Sequence, residues 1–449
     1  MNAEPDWVEA VEEFRHRHAV PGVAIAVFDA NRITYAGGFG TLHAGPGAGK
    51  VSPRSMFRTF SLAKCFTATA VCRLADDGRI DLDVPFDEYA PELHVRGRRD
   101  AGGITLRHLL GNSSGFVPDT ISHHCTGRDP RALATEVPVM VGRLPLVAPP
   151  GEVFAYSNLN FALAGLLVER VMGATFAELV AKTVFEPLEM AETTHDPAVA
   201  MTYPLMQQHR PDDDGTPAVI HEARAGVRHQ PSGLCYSTVE DLARYGAFQL
   251  RVAAGRDGGP ELARAQRGHI EVPAVTELHY GLGLFVGPRR GGAPCLGHEG
   301  FFDGSWTKLL LSPAHGIGLV WTDGRGVELR PHRYAVIERI LAAHGVNAPE
   351  APEPREPTPR ARVLGTYRRW GATPLTVGEG PDDGLVVSDD EVTVLARRAG
   401  PRVWAAEPPA QSPPWVPHAD TTATSIGFSH DHRDGMEYLH LNGLPYRRA

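Results

Sequence analysis

Apolar and charged residues recur at helical spacing from Asp6 to His18, and Pro21-Gly22 closes that segment before the apolar run Val23-Ala24-Ile25-Ala26-Val27-Phe28. The pattern predicts a helix followed by a buried strand. Asp29-Ala30-Asn31-Arg32 is a turn cluster and Ile33 to Ala36 resumes a strand, so a β-hairpin should pack against the first helix. Ser61 to Asp77 returns to helical spacing, with Gly78 where a C-terminal cap falls. Helices and loops dominate from there to about Thr194, including Leu159 to Met172 ending at Gly173. Asp241 to Leu250 predicts a further helix, whereas Tyr280 to Val286, Trp306 to Leu311 and Gly318 to Thr322 predict strands. Strands at both ends with helices between them predict an α+β fold, an antiparallel sheet flanked by helices and carrying an inserted all-helical lobe.

A second unit follows. The chain has 449 residues, more than one hydrophobic core usually serves. Residues 348–359, with Pro349, Pro352, Pro354, Pro357 and Pro359, deny backbone donors to any helix or central strand and predict a semi-rigid linker. Beyond it only short strand runs occur, such as Leu375-Thr376-Val377, Leu385-Val386-Val387, Val392 to Leu395 and Tyr438 to Leu441. The expected organisation is a first domain over 1–347, the linker, and a small all-β, barrel-like or sandwich domain over 360–449.

Composition narrows the function classes. With 42% hydrophobic and 22% charged residues the chain is an ordinary globular one, and its net charge of -9 lacks the basic patches of a nucleic-acid binder. No apolar run approaches the roughly 20 residues needed to span a bilayer, so neither nucleic acid nor membrane is an expected partner. Met1 to Ala10 carries Glu4, Asp6 and Glu9 in place of a basic start and an apolar stretch, which gives a cytoplasmic location as the expectation. Five scattered cysteines, Cys65, Cys72, Cys125, Cys235 and Cys295, lack metal-site spacing and read as small core residues.

Candidate chemistry centres on Ser61-Leu62-Ala63-Lys64. A serine hydroxyl needs a nearby base to act as a nucleophile. If Ser61 opens a helix, Lys64 at i+3 shares its face, the helix N-terminus favours developing negative charge, and apolar Phe60, Leu62, Cys65 and Phe66 desolvate the amine. A serine N-cap with an exposed lysine is the plain structural alternative. A second copy, Ser305-Trp306-Thr307-Lys308, falls in a strand pattern, where i and i+3 point to opposite faces.

Three elements in order, Ser61 to Lys64, Tyr156-Ser157-Asn158 and His298-Glu299-Gly300, resemble the motifs of the serine β-lactamase-like, penicillin-recognising family. That family includes class C β-lactamases, D-peptidases, carboxylesterases and biosynthetic acyltransferases. Phe57-Arg58, Ile104 to Leu110, Pro150-Gly151, Pro231-Ser232-Gly233-Leu234 and Ser237 to Leu242 are similar as well, and the likeness spans residues 7 to 345. The resemblance implies Ser61 as nucleophile, Lys64 as base, Tyr156 as partner in proton transfer, and Asn158 as orienter of the lysine and the acyl side chain. It also implies substrate contacts at His298, Gly300 and Phe301, with the backbone N–H groups of Ser61 and Phe301 as oxyanion donors. His298 stands where β-lactamases place a lysine, which disfavours β-lactamase activity because neutral imidazole lacks the fixed charge. Glu299 is read as a solvated strand residue.

Other matches are set aside. Gly111-Asn112-Ser113-Ser114-Gly115 fits a nucleophile elbow in spelling but follows a helical run where a strand is needed. Ala44 to Val51 imitates a phosphate loop without its first glycine or its hydroxyl. His123-His124-Cys125 and His430-Asp431-His432 lack a nameable fourth metal ligand, and Trp306, Trp321 and Tyr280 read as core aromatics. The expected partners are a small-molecule ester or amide and, for a transacylase, an amine or alcohol acceptor, with no cofactor and no metal. The rival reading is a non-catalytic binding or assembly protein that retains the fold. The sequence leaves the oligomeric state open.

Overall fold

The computed structural model describes residues 5–96, 102–117, 129–221, 226–272, 278–351, 357–369, 372–389, 393–400, 402–406, 424–430, 437–441 and 444–449. Its frame is an antiparallel sheet of β1 (Gly22–Asp29), β2 (Ile33–Gly40), β3 (Ile270–Glu271), β4 (His279–Tyr280), β5 (Phe285–Arg290), β6 (Ala293–Phe301), β7 (Trp306–Ser312) and β8 (Ile317–Asp323). In space the order is β2-β1-β8-β7-β6-β5-β4-β3. Around it stand α1 (Trp7–Arg17), α2 (Ala63–Asp76), α3 (Leu106–Leu110), α4 (Ala132–Arg143), α5 (Asn158–Met172), α6 (Val239–Ala253) and α7 (Arg330–Ala343).

β1 is apolar without interruption because both its faces are covered. Val23, Ile25 and Val27 share a core with Val11 and Phe14 of α1 and Ile337 and Ile340 of α7. Ala24, Ala26 and Phe28 face the larger core built with α6 and the helical lobe. The strand pairs Ile25 with Trp321 on β8, so segments from the two ends of this domain meet mid-sheet. Asp323 at the end of β8 binds Arg333 of α7 through 2.6 and 2.7 Å hydrogen bonds, both side chains fully buried.

Three predicted elements change shape. The strand expected over Tyr280 to Val286 is two strands, β4 and β5, because Gly281 to Leu284 turns between them. Gly283 has φ +76°, and a Cβ there would stand 2.6 Å from the Lys64 carbonyl, so the turn approaches α2 as no other residue could. Ser61 lies in a one-turn 3-10 segment, Phe60–Leu62, ahead of α2, not in the α-helix itself. α6 begins at Val239, where Thr238 caps it by accepting from the Asp241 N–H, and runs on to Ala253.

The C-terminal strands, β9 (Gly365–Arg368), β10 (Leu375–Glu379), β11 (Leu385–Ser388), β12 (Thr393–Gly400), β13 (Val403–Ala406), β14 (Thr424–His430), β15 (Glu437–Leu441) and β16 (Leu444–Arg448), form a closed barrel. Closure through β9 and β16 leaves no open edge, which separates it from a sandwich. Trp404, Leu385, Ile426 and Leu439 fill it. Tyr438 of β15 packs on Ala148 and Val153, the segment that leads to Tyr156. Part of the proline-rich stretch, residues 352–356, lies outside the described residues, as do His123-His124-Cys125 and Asp431-His432.

Candidate active site

The 3-10 turn, α2, α5 and β6 converge on one cleft. Lys64 is fully buried on the first turn of α2, while Ser61, Tyr156 and Asn158 remain partly exposed above it. The Lys64 Nζ stands 3.2 Å from the Ser61 Oγ and donates to the Asn158 Oδ1 at 2.7 Å and the Ser232 carbonyl at 2.8 Å. It also lies 4.8 Å from the centre of the Tyr156 ring. Tyr156 is hydrogen bonded to Ser61, and burial pushes its phenol above the ordinary value, only partly opposed by that bond. The phenol is therefore present with its proton at neutral pH. Phe60, directly before Ser61, holds φ +48°, a conformation a bulky residue adopts only when its surroundings impose it.

β6 supplies the third side, and its alternation sorts the motif between two faces. His298 points to the cleft, 6.1 Å from the Tyr156 ring, while Glu299 points to α7. Burial, then the Lys64 charge, pulls His298 down to about 3, so its imidazole is neutral. Its Nδ1 meets the Glu299 carbonyl at 2.5 Å and its Nε2 the Tyr280 hydroxyl at 3.2 Å. Glu299 is not solvated as expected. It is part-buried in an ion cluster with Arg330 at 2.8 Å and Lys308 at 3.4 Å, and it accepts from Tyr334 at 2.5 Å. Against its own burial, those cations hold its carboxyl at about 2. Gly300 faces the Phe60–Leu62 turn so closely that a Cβ would stand 2.0 Å from the Thr59 carbonyl oxygen. Phe301 ends β6 with its ring 44% exposed at the rim.

The family model described as Beta-lactamase matches residues 7–344. The chain belongs to the Beta-lactamase family. Penicillin-binding protein 4 of Amycolatopsis lactamdurans is 28% identical over 385 residues, 82% of this chain and 98% of that protein. Protein flp of Staphylococcus aureus strain N315 is 23% identical over 69% of this chain, and the match spans 61% of that longer protein. Among solved structures, SurE superposes with a TM-score of 0.75 at 20% identity, over 99% of this chain and 98% of that one. The octameric penicillin-binding protein homologue from Pyrococcus abyssi gives 0.65 at 20% identity, over 98% and 99%. At such identities the two structures establish a shared fold.

Within this Beta-lactamase-family site, several supporting residues carry no role in the sequence reading. Asn112, at φ +51° just past α3, accepts from the Ser157 N–H and the Asn160 side chain, each at 3.1 Å, and its own carbonyl takes the Ala155 N–H. The loop dismissed as a nucleophile elbow thus clamps the Tyr156 segment. An Asn after Leu109-Leu110-Gly111 signals a left-handed helix end, but not what it will hold. Ser232 acts through its carbonyl, invisible to side-chain reading. Tyr280 is buried as expected of a core aromatic, yet its hydroxyl fixes His298. In the second serine-lysine copy, Ser305 donates to the Asp323 carbonyl while Lys308 pairs with Glu299, so the two do not meet. Among the described residues no group of His, Cys, Asp or Glu could hold a metal, no helix is long and apolar enough to cross a membrane, and the four described cysteines are free and buried.

Proposed function

We propose that this protein is a serine acyl-transfer enzyme acting on a small-molecule ester or amide. The contact between the Lys64 amine and the Ser61 hydroxyl, with the Tyr156 phenol on the same oxygen, is the observation that carries the reading. Ser61 Oγ attacks the substrate carbonyl carbon and its proton passes to Lys64 as free amine. The tetrahedral oxyanion is received by the backbone N–H groups of Ser61 and Phe301. Collapse expels an alcohol or amine, which takes a proton relayed through Tyr156. Because the phenol keeps its own proton, Tyr156 serves as relay and Lys64 as base. Asn158 orients the amine, and Gly300 lets β6 close on the nucleophile.

Water as second nucleophile makes the enzyme an esterase, amidase or D-peptidase; a bound amine or alcohol makes it a biosynthetic transacylase. One structural neighbour is described as SurE with D-Leu, which makes D-aminoacyl compounds the first substrates to try. β-Lactam turnover is disfavoured because neutral His298 has both ring nitrogens engaged.

A fluorophosphonate probe followed by peptide mass analysis should place the adduct on Ser61. Folded protein without that adduct supports the binding-protein reading. Acyl-enzyme decay that accelerates when amines or alcohols are added identifies a transacylase, and decay at one rate identifies a hydrolase.

A further inference from the structure

Arg58, three residues before Ser61, is a cation that no carboxylate among the described residues pairs with. It sits on a two-residue strand, Phe57–Arg58, paired with Tyr236–Ser237. Alternation sends Phe57 into the core and Arg58 to the other side, where its guanidinium carbon stands 4.9 Å from the centre of the Phe60 ring. Phe60 directly precedes Ser61, so the backbone that fixes the nucleophile fixes the stacked cation too. The Arg58 Nε is buried without a hydrogen-bond partner, and no carboxylate among the described residues pairs with the guanidinium. Neighbouring basic side chains differ. Lys64 donates to Asn158 and Ser232, Lys308 and Arg330 pair with Glu299, and Arg54 pairs with Glu192.

A guanidinium with its Nε withdrawn from water and unpartnered is unfavourable unless an incoming anion completes it, and its planar fork matches a carboxylate. His298 offers no such charge, since its nitrogens are taken by Glu299 and Tyr280. We propose that Arg58 is the anion receptor of this site, and that the substrate carries a carboxylate bound there while its reacting carbonyl lies at Ser61. This rests on the serine acyl-transfer reading and narrows it to anionic substrates.

Two pairs of esters test it. In one, para-nitrophenyl hydrogen succinate, with the charge on the acyl side, is compared with its methyl ester. In the other, a carboxy-substituted para-nitrophenyl acetate, with the charge on the leaving side, is compared with the unsubstituted ester. In one pair the wild type should favour the charged member by about ten- to a hundredfold in kcat/KM, chiefly through KM. Arg58→Met, which keeps the stacking stem, should erase the preference and leave turnover of the neutral member unchanged. Arg58→Lys should restore part of it.

Succinate should also raise the melting temperature of the wild type and not of Arg58→Met, a readout independent of turnover. A preference in either pair that Arg58→Met erases, or a succinate shift lost in Arg58→Met, supports the site; a preference that persists in Arg58→Met overturns it. Labelled Ser61 with equal rates in both pairs and no succinate shift overturns the anion receptor alone. Unlabelled Ser61 overturns the acyl-transfer reading beneath it, and a succinate shift lost in Arg58→Met would then still support the receptor. A fall in both members of a pair together assigns Arg58 a packing role and rejects the proposal.

Discussion

The Lys64 amine donates to two acceptors and turns toward the Ser61 hydroxyl, and that arrangement dictates what its removal does. Lys64→Met should lower the rate of Ser61 acylation by about a hundredfold to ten-thousandfold, and Tyr156→Phe by a smaller factor, with both proteins folded. Stopped-flow acylation by an activated ester reads both, and equal rates in wild type and Lys64→Met would remove the lysine from the mechanism. Asn112 is the less visible dependency. Asn112→Ala loses the two buried hydrogen bonds its side chain accepts and strains a positive φ, so it should cost about 2–4 kcal/mol in urea unfolding and slow turnover. The Ser61 to Lys64 spacing is legible because a helix turn brings i and i+3 together. Asn112 meets Ser157 across 45 positions and Lys64 meets the Ser232 carbonyl across 168, and no local pattern encodes either partner.

Strands and helices decide which neighbour each residue sees. In β6, period-two alternation gives His298 to the cleft and Glu299 to α7, so one motif faces both the Ser61 cleft and the α7 ion cluster. The sequence shows the strand, but the cations that meet Glu299 come from β7 and α7, which is why it was expected in solvent. Tyr280 to Val286 reads as one strand because its apolar residues are continuous, and only the passage of α2 over Gly283 makes a turn there necessary. The fully buried Asp323–Arg333 pair fastens β8 to α7. Arg333→Met leaves a carboxylate unpaired in the core and should cost about 3–5 kcal/mol. Replacing both partners with apolar residues should recover much of that loss, and a urea series on the single and double variants tests it.

Across the whole molecule, buried histidines set the response to acid. Burial lowers His298 and His440 to about 3 and His195 and His269 to about 4, from an ordinary 6.5. The unfolded chain takes up these protons near 6.5 while the folded chain refuses them, so stability is full above that pH and declines as pH falls toward 3. Each histidine contributes about 1.4 kcal/mol per pH unit over that span, and Glu299, held at about 2, adds to the loss below its ordinary 4.5. Calorimetry from pH 8 to pH 5 should show a melting temperature that falls below about 6.5; a flat profile would contradict the buried neutral state. The barrel was legible as all-β from its short runs and turns, but its closure was not, since β9 and β16 meet across the whole domain. The same distance governs β1. Its hydrogen-bonding partner β8 emerges from the ribosome nearly three hundred residues later, about 15–60 s at ordinary elongation rates. Through that interval one of the most apolar stretches of the nascent polypeptide has only its hairpin neighbour to pair with. Production of this protein should therefore depend on holdase chaperones and suffer more from faster translation or heat shock than its finished stability suggests.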